Sequence, residues 1–358
     1  MIQNNYCIIM AGGVGSRFWP FSTNSKPKQF LDFFGTGRSL LQMTFDRFLP
    51  LVPAENIYIV TNQKYKDMIM QQLPALSEQQ ILLEPMRRNT APCIAYAAYK
   101  IREKAPKANI VVAPSDHLIT NTKEFERIIS KGLDFVKQND NLLTLGMLPS
   151  RPETGYGYIQ ITPGESDLRP VKTFTEKPNA EMAQLFLDSG DFYWNSGMFL
   201  WRCDVIIKAF EELLPEVAVL FEKCKDSYFS ENEQTIINES YSLSPNISID
   251  YGIMEKAENV NVQIADFGWS DLGTWSSLHE LSTKDEDQNA TLKCQAQFYN
   301  SKNNIVALPE GKLAVIDGLD NYLIAEDHGV LLICKKDEES KIRDYVDNAA
   351  SIDDGKFV

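Results

Sequence analysis

The sequence predicts a doubly wound α/β sheet followed by a small β module. Three observations carry that prediction. First, the opening strand, Tyr6-Cys7-Ile8-Ile9-Met10-Ala11, is a continuous apolar run, as expected of a strand covered on both faces. Second, similar runs recur at Ile57-Tyr58-Ile59-Val60, Ile81-Leu82-Leu83, Ile110-Val111-Val112-Ala113 and Leu142-Leu143-Thr144-Leu145, with helical patterns between them. Such alternation is the signature of a sheet wound with helices on both sides. Third, the texture changes after about Asp285.

The helices between the strands have their own signals. Thr90-Ala91-Pro92 reads as an N-cap with proline in the first turn, opening a helix that runs to about Lys104. Between Lys123 and Gln138, Phe125, Ile128, Ile129, Leu133 and Val136 fall on one helical face. Ligands of such a sheet bind beyond the C-terminal ends of its strands. Past the polar linker Asp285-Glu286-Asp287-Gln288, short strands are expected at 305–308, 313–316, 322–325 and 330–333. Turn signals such as Pro309-Glu310-Gly311 and Asp317-Gly318 separate them. A charged helix from about Asp337 to Asn348 closes the chain. Two domains are expected, 1–285 and 286–358.

Composition excludes several function classes. The 358 residues are 44% hydrophobic and 23% charged, with a net charge of −14. So negative a surface repels phosphate backbones, so no nucleic-acid partner is expected. The six cysteines include no C-x-x-C pair, which argues against a zinc ribbon or a thiol redox motif and for free thiols in a reducing compartment. The start, Met1-Ile2-Gln3-Asn4-Asn5, lacks the basic residues of a signal peptide. No apolar run reaches the ~20 residues of a membrane span. A cytoplasmic protein without a membrane partner is expected. The three histidines, His117, His279 and His328, are far apart in sequence, which argues against a histidine-rich metal site.

The loop after the first strand is the most informative segment. The dinucleotide fingerprint G-x-G-x-x-G would start at Gly13, but Phe18 stands where its third glycine belongs. A P-loop would need Lys and Ser/Thr after its second glycine, and Arg17 does not supply that. What remains is Gly12-Gly13-Val14-Gly15-Ser16-Arg17, then Trp19-Pro20 and Lys26-Pro27-Lys28-Gln29-Phe30-Leu31. Glycines let backbone N–H groups turn inward as an anion-binding nest. Arg17 can fork onto phosphate oxygens, and Lys28 brings a second positive charge. The plainer reading, a turn that only reverses the chain, does not account for the Arg, Pro and Lys spacing.

Seven further segments carry candidate chemistry. Glu84-Pro85-Met86-Arg87-Arg88-Asn89-Thr90 lies between a strand and a helix N-terminus, a place for an anion or a base edge. Glu84 can accept from a base or cap a neighbouring helix, and Arg87 and Arg88 read as solvated charges. Val112-Ala113-Pro114-Ser115-Asp116-His117 ends a strand with a carboxylate, which serves equally as a turn residue. Gly155-Tyr156-Gly157-Tyr158 leads into a strand, where glycine permits close backbone approach or marks a bulge. Glu176-Lys177 pairs a carboxylate with an ammonium, which as an exposed ion pair would be worth only ~0–1 kcal/mol. Asn195, in Trp194-Asn195-Ser196-Gly197, can both donate to and accept from hydroxyls. Asp271, in Gly268-Trp269-Ser270-Asp271-Leu272-Gly273-Thr274-Trp275, offers another carboxylate or a cap for a helix starting near Gly273. Ser248-Ile249-Asp250-Tyr251-Gly252-Ile253-Met254-Glu255 reads as a capped helix that shapes a pocket.

Together these motifs resemble the bacterial mannose-1-phosphate guanylyltransferase family of sugar nucleotidyltransferases. The likeness spans roughly the first 280 residues and extends more weakly into the β module. It implies a Rossmann-like mixed sheet of the nucleotide-diphospho-sugar transferase type, with residues 1–285 catalytic and a short β-helix-like module after them. It implies GTP and α-D-mannose 1-phosphate as substrates and GDP-mannose and pyrophosphate as products. The cofactor would be Mg2+ or another divalent cation, held by Asp116 and Asp271. Ala11, Gly12, Gly13, Gly15, Ser16, Arg17, Lys28, Glu84, Asn89, Ser115 and Asp116 would bind the nucleotide. Gly157, Glu176, Lys177 and Asn195 would bind the sugar phosphate. Arg17 and Lys28 would stabilise the leaving pyrophosphate, and Lys177 would hold the attacking phosphate in line. His117 would be structural, since Mg2+ prefers oxygen. Arg17→Ala or Lys28→Ala should lower turnover and leave the fold intact. A homodimer is among the partners considered, and the isomerase domain of longer relatives is not expected.

Two rivals share part of the pattern. A UTP- or dTTP-dependent glucose-1-phosphate nucleotidyltransferase would share the loop and lysine. Gln29, Arg88-Asn89-Thr90-Ala91-Pro92 and Trp269-Ser270-Asp271-Leu272-Gly273-Thr274-Trp275 favour the mannose–guanine type. A non-catalytic sugar-nucleotide-binding homologue would be signalled by loss of Lys28 or either aspartate, and all three are present.

Overall fold

The computed structural model describes residues 4–13, 15–352 and 355–358. Met1–Gln3 and Val14, which entered the reading of the N-terminus and the glycine loop, lie outside the described residues. By packing, the chain divides into two compact units. One comprises Met1–Gly12, Phe45–Ser115 and Ile119–Trp269; the other comprises Gly13–Thr44, Asp116–Leu118 and Ser270–Val358. The boundary expected after Asp285 marks a change from helix–strand alternation to short strands. Packing groups the chain by contact, and so gathers residues 13–44 with 270–358.

The first unit is built on a sheet whose strands are, in chain order, β1 (Asn5–Met10), β2 (Ile57–Asn62), β3 (Ile81–Glu84), β4 (Asn109–Pro114), β6 (Leu142–Met147), β7 (Tyr158–Ile161), β8 (Leu168–Thr175), β9 (Phe192–Arg202) and β10 (Val260–Ala265). The label β5 belongs to Leu118–Ile119 and β11 to Trp269–Ser270. The sheet order is β3-β2-β1-β4-β9-β6-β10-β8-β7. β1 is parallel to both β2 and β4, and β9 is antiparallel to β4 and β6. The sheet is therefore mixed, as the Rossmann-like resemblance implies. The chain moves outward from β1 to β3 and then crosses to β4. That reversal opens a crevice beyond the C-terminal ends of β1 and β4.

The apolar runs behave as strands covered on both faces. Ile8, Val60, Leu82, Val112 and Trp201 are fully buried. The Thr90–Lys104 helix is buried continuously from Ala91 to Ile101. Its alanines add no side-chain bulk, so it can lie close against the sheet. Its N-cap is Asn89, not Thr90: the Asn89 side chain accepts from the Thr90 N–H. The Thr122–Gln138 helix buries Phe125, Ile128, Ile129, Leu133 and Val136, the face its spacing predicted. β8 and β9 escaped sequence reading for physical reasons. β8 has no buried residue, and β9 carries a polar Asn195-Ser196-Gly197 step within its run.

The second unit holds β12 (Ala290–Leu292), β13 (Gln295–Tyr299), β14 (Ile305–Ala307), β15 (Leu313–Asp317), β16 (Tyr322–Asp327) and β17 (Val330–Lys335). β12, β14 and β16 form one parallel ladder, and β13 and β15 another. The chain alternates between the ladders, as in a short β-helix. β12 and β13 were not expected, being short and partly polar. Buried asparagines link successive turns: Asn304 donates from Nδ2 to Asn289 Oδ1 at 3.0 Å and accepts from Tyr322 N at 2.8 Å. β17 then pairs antiparallel with β16. A 3-10 turn, Lys336–Lys341, leads into the final Ile342–Ala349 helix. Phe18, Leu272, Trp275, Ile305, Leu323 and Ile342 share this unit's core. Among the described residues, no helix is long and apolar enough to cross a membrane.

Candidate active site

The glycine loop leaves β1 at Ala11, whose N–H donates to Val60 O at 2.7 Å while Thr61 Oγ1 donates to its carbonyl at 2.9 Å. Beside it, the Ser115 N–H at the end of β4 donates to Met10 O at 3.0 Å. Both residues thus stand at the reversal of the sheet. Gly12 backs onto Glu84: a Cβ built on Gly12 would lie 3.3 Å from Glu84 Oε2.

Glu84 is buried, and Tyr241 donates its hydroxyl to Oε1 at 3.0 Å. Burial pushes the Glu84 carboxyl up to about 7, with the Tyr241 bond and Arg87 opposing. Arg88 is not the solvated charge its sequence context suggested. It donates to the Tyr241 and Ser242 carbonyls at 3.1 and 3.3 Å. Asn89 has φ of 65° and spends its Oδ1 on the helix cap. Its amide nitrogen has no partner among the described residues.

The next part of the loop belongs to the second unit. Gln29 Nε2 donates to Gly13 O at 3.0 Å. Gly15 has φ of 69°, and a Cβ there would collide with Lys28. Only glycine meets both demands. Ser16–Phe18 then form a 3-10 turn. The turn is anchored by Phe18, whose ring packs against Phe33 and Trp275 at 4.8 and 5.3 Å.

Lys28 is the centre of this unit's cleft. Its Nζ donates to Asp116 Oδ2 at 3.0 Å and to the Asp271 carbonyl at 2.5 Å, and lies 5.8 Å from the Phe18 ring centroid. Burial would raise the Asp116 carboxyl, but Lys28 and His117 outweigh it and hold it below its ordinary value. Lys28 itself is only 4% exposed, so Lys28→Ala would leave Asp116 without its ammonium partner. Burial therefore argues that this variant would disturb the fold as well as turnover. Arg17, by contrast, is exposed.

Asp271 does not cap the next helix. Thr274 does, through a capping box with Ser277. Asp271 instead accepts from Gly273 N at 2.8 Å. Gly15, Ser16, Arg17, Lys28, Asp116 and Asp271 all line one cleft of about 280 Å³. His117 lines it too, with Nε2 at 4.0 Å from Asp116 Oδ1. Among the described residues no group of three or more His, Cys, Asp or Glu side chains is arranged to hold an ion. The two carboxylates of the cleft suit Mg2+, which binds through one or two carboxylates and completes its shell with phosphate and water.

The sugar-side candidates meet in the first unit. Asn195 N donates to Gly157 O at 2.8 Å. A Cβ on Gly157 would strike the Glu176 carboxylate, so glycine here serves close approach. Lys177 Nζ lies 3.2 Å from Glu176 Oε2, with the lysine side chain 67% exposed and the glutamate 17%. Asn195 is held at both ends of its amide: Nδ2 donates to Asp250 Oδ1 at 2.7 Å, and Oδ1 accepts from Gly197 N at 3.1 Å.

Asp250, to which the sequence reading gave no chemical role, holds the candidate Asn195. It opens a π-helical turn, Asp250–Met254, within the segment read as a capped helix. Burial pushes its carboxyl up to about 6, with the Asn195 bond opposing and Glu176 adding to the rise. Tyr241 and Arg343 were also missed. Tyr241 lies far from Glu84 in sequence, and Arg343 sits on a helix with no motif around it.

A glycine loop, a buried lysine and two aspartates on one cleft, in a chain whose first strand opens a mixed α/β sheet, match one family. The chain belongs to the nucleotidyl transferase family. That family's profile matches residues 6–288. Within this nucleotidyl transferase family, a mannose-1-phosphate guanylyltransferase of Salmonella muenchen is 36% identical over 351 residues, 95% of this chain and 72% of its own length. The xanthan biosynthesis protein XanB of Xanthomonas campestris pv. campestris is 35% identical over 354 residues, 96% of this chain and 73% of its own. The crystal structure of mannose-1-phosphate geranyltransferase from Thermus thermophilus matches with a TM-score of 0.87 at 28% identity, covering 98% of this chain and 100% of that one. The resemblance read from the motifs is borne out at the level of the family, and so is the fold class.

Proposed function

We propose that this nucleotidyl transferase is a mannose-1-phosphate guanylyltransferase, joining GTP and α-D-mannose 1-phosphate into GDP-mannose and pyrophosphate. The observation that carries the reading is the cleft on which Arg17, Lys28, Asp116 and Asp271 converge. The guanylyltransferase relatives, similar along almost the whole chain, support the choice of sugar and base.

The reaction asks for little acid–base chemistry. A phosphate oxygen of the sugar phosphate forms a bond to the α-phosphorus of GTP, and the bond from that phosphorus to the bridging oxygen breaks. Pyrophosphate leaves with the electron pair. The attacking oxygen is already largely ionised at neutral pH, its second pKa being ~6. Catalysis then rests on positioning and on neutralising charge. Arg17 and Lys28 bind the pyrophosphate as it leaves. Lys177 binds the phosphate of the sugar phosphate, and Glu176 and Asn195 bind its hydroxyls. Ala11, Gly12, Gly13, Gly15, Ser16 and Ser115 present backbone to the nucleotide, with Glu84 behind Gly12 and Asn89 at the mouth of its helix. Mg2+, when bound, supplies neutralisation of phosphate charge, and Asp116 and Asp271 would hold it.

The test is direct. The chain is incubated with GTP, mannose 1-phosphate and Mg2+, and GDP-mannose is measured by mass spectrometry over a Mg2+ titration, beside Asp271→Asn. Product is expected for the native chain. Asp271→Asn should need much higher Mg2+ or fail. Absence of GDP-mannose at any Mg2+ concentration overturns the function. Equal Mg2+ dependence in both proteins overturns the metal assignment.

A further inference from the structure

The cleft around the glycine loop has a third cation that no motif announced. Arg343 lines it together with Arg17, Lys28, Asp116 and Asp271. It lies on the Ile342–Ala349 helix, beyond residue 288, where the family profile ends. Its position is built into the fold. Neighbouring Ile342 is fully buried in the same core as Phe18, Leu272 and Trp275. The chain is also held just before the helix and near its own end. Glu339 Oε2 accepts from Ser276 N at 3.0 Å, and the indole of Trp19, just past the glycine loop, donates to Phe357 O at 2.7 Å. One residue further along a helix turns about 100°, so burying Ile342 in the core leaves Arg343 exposed at the cleft.

Charge balance shows what this cation is for. Lys28 has its ammonium engaged by Asp116 and by the Asp271 carbonyl. Among the described residues, Arg17 and Arg343 have no ion-pair or hydrogen-bond partner. In a chain of net charge −14, two guanidinium groups on one cleft that no described residue pairs with call for an anion with several oxygens. A guanidinium binds such an anion through two parallel N–H donors.

We infer that Arg343, supplied by the C-terminal helix, is a second arginine of the phosphate site and binds the pyrophosphate portion of the nucleotide and the free pyrophosphate product. This rests on the nucleotidyltransferase reading of the cleft. Because the contact exists before and after reaction, its loss weakens binding more than turnover.

Calorimetric titration of the full chain with inorganic pyrophosphate in Mg2+ buffer tests it, alongside titration with mannose 1-phosphate. Arg343→Ala should weaken pyrophosphate binding roughly ten- to hundredfold, the size of one lost charge-assisted contact. Arg343→Lys should fall between. Mannose 1-phosphate binding should not change. Lys341→Ala, which breaks only a surface pair with Glu338, should bind both ligands normally. Native affinity for pyrophosphate in Arg343→Ala overturns the inference, as does a parallel loss of both ligands, which would mark a structural role. A selective loss of pyrophosphate in a chain that makes no GDP-mannose would keep Arg343 as an anion ligand while removing the proposed reaction.

Discussion

Lys28 and Arg17 face the same cleft, yet substitution means different things at each. Arg17 is exposed and its loss disturbs no core. Arg17→Ala should lower kcat by roughly 10²–10³, the scale of removing one preorganised donor from a developing charge, with Tm unchanged. Lys28→Ala should lower both kcat and Tm, because it strips a buried ammonium from Asp116. Steady-state rates and thermal melts on the two variants separate these outcomes, and a native kcat in Arg17→Ala would remove it from the phosphate site. Glu84 makes a prediction in pH. Its carboxyl titrates at about 7 folded against an ordinary 4.5. Between those values the folded chain holds a proton that the unfolded chain has lost, so stability falls as pH rises through that window and levels off above it. Asp250 adds a slope of the same sign, from 3.8 to about 6. Glu84→Gln should therefore show a smaller drop in Tm between pH 5 and pH 8 than the native chain. An unchanged drop would show that Glu84 ionises normally.

At the scale of elements, β1, β2, β3, β4 and β6 were legible because each carries a dense apolar run, broken in β6 by Thr144 alone. The Thr122–Gln138 helix was legible from its single apolar face. β9 was not, since its run is broken by Asn195, Ser196 and Gly197 where a core strand would carry valine. Asp250 was hidden too. The motif around it was visible, but its contact with Asn195 joins residues 55 positions apart, and spacing along the chain cannot report that. The helix cap at Asn89 and the freeing of Asp271 from capping depend on backbone geometry at single residues, where sequence signals are weakest. The Asp250–Asn195 pair gives its own prediction. Asp250→Ala releases the Asn195 amide, and KM for mannose 1-phosphate should rise about tenfold, one charge-assisted hydrogen bond, with KM for GTP unchanged. Equal changes in both constants would mean that Asp250 supports the fold and not the sugar.

At the scale of the molecule, the fold class was predictable because a parallel core imposes its pattern on long stretches of chain. The grouping of residues 13–44 with 270–358 was not, because it arises from contacts between segments far apart in sequence. The acidic total charge places the basic cleft in context: Arg17, Lys28 and Arg343 are local exceptions in a chain of −14. What that cleft processes is decided by pairing substrates. Pyrophosphate release, measured across GTP, ATP, UTP and dTTP, each with mannose 1-phosphate and with glucose 1-phosphate, tests this most directly. Release should be fastest by a wide margin with GTP and mannose 1-phosphate. Release confined to UTP or dTTP with glucose 1-phosphate would contradict the proposed guanylyltransferase function.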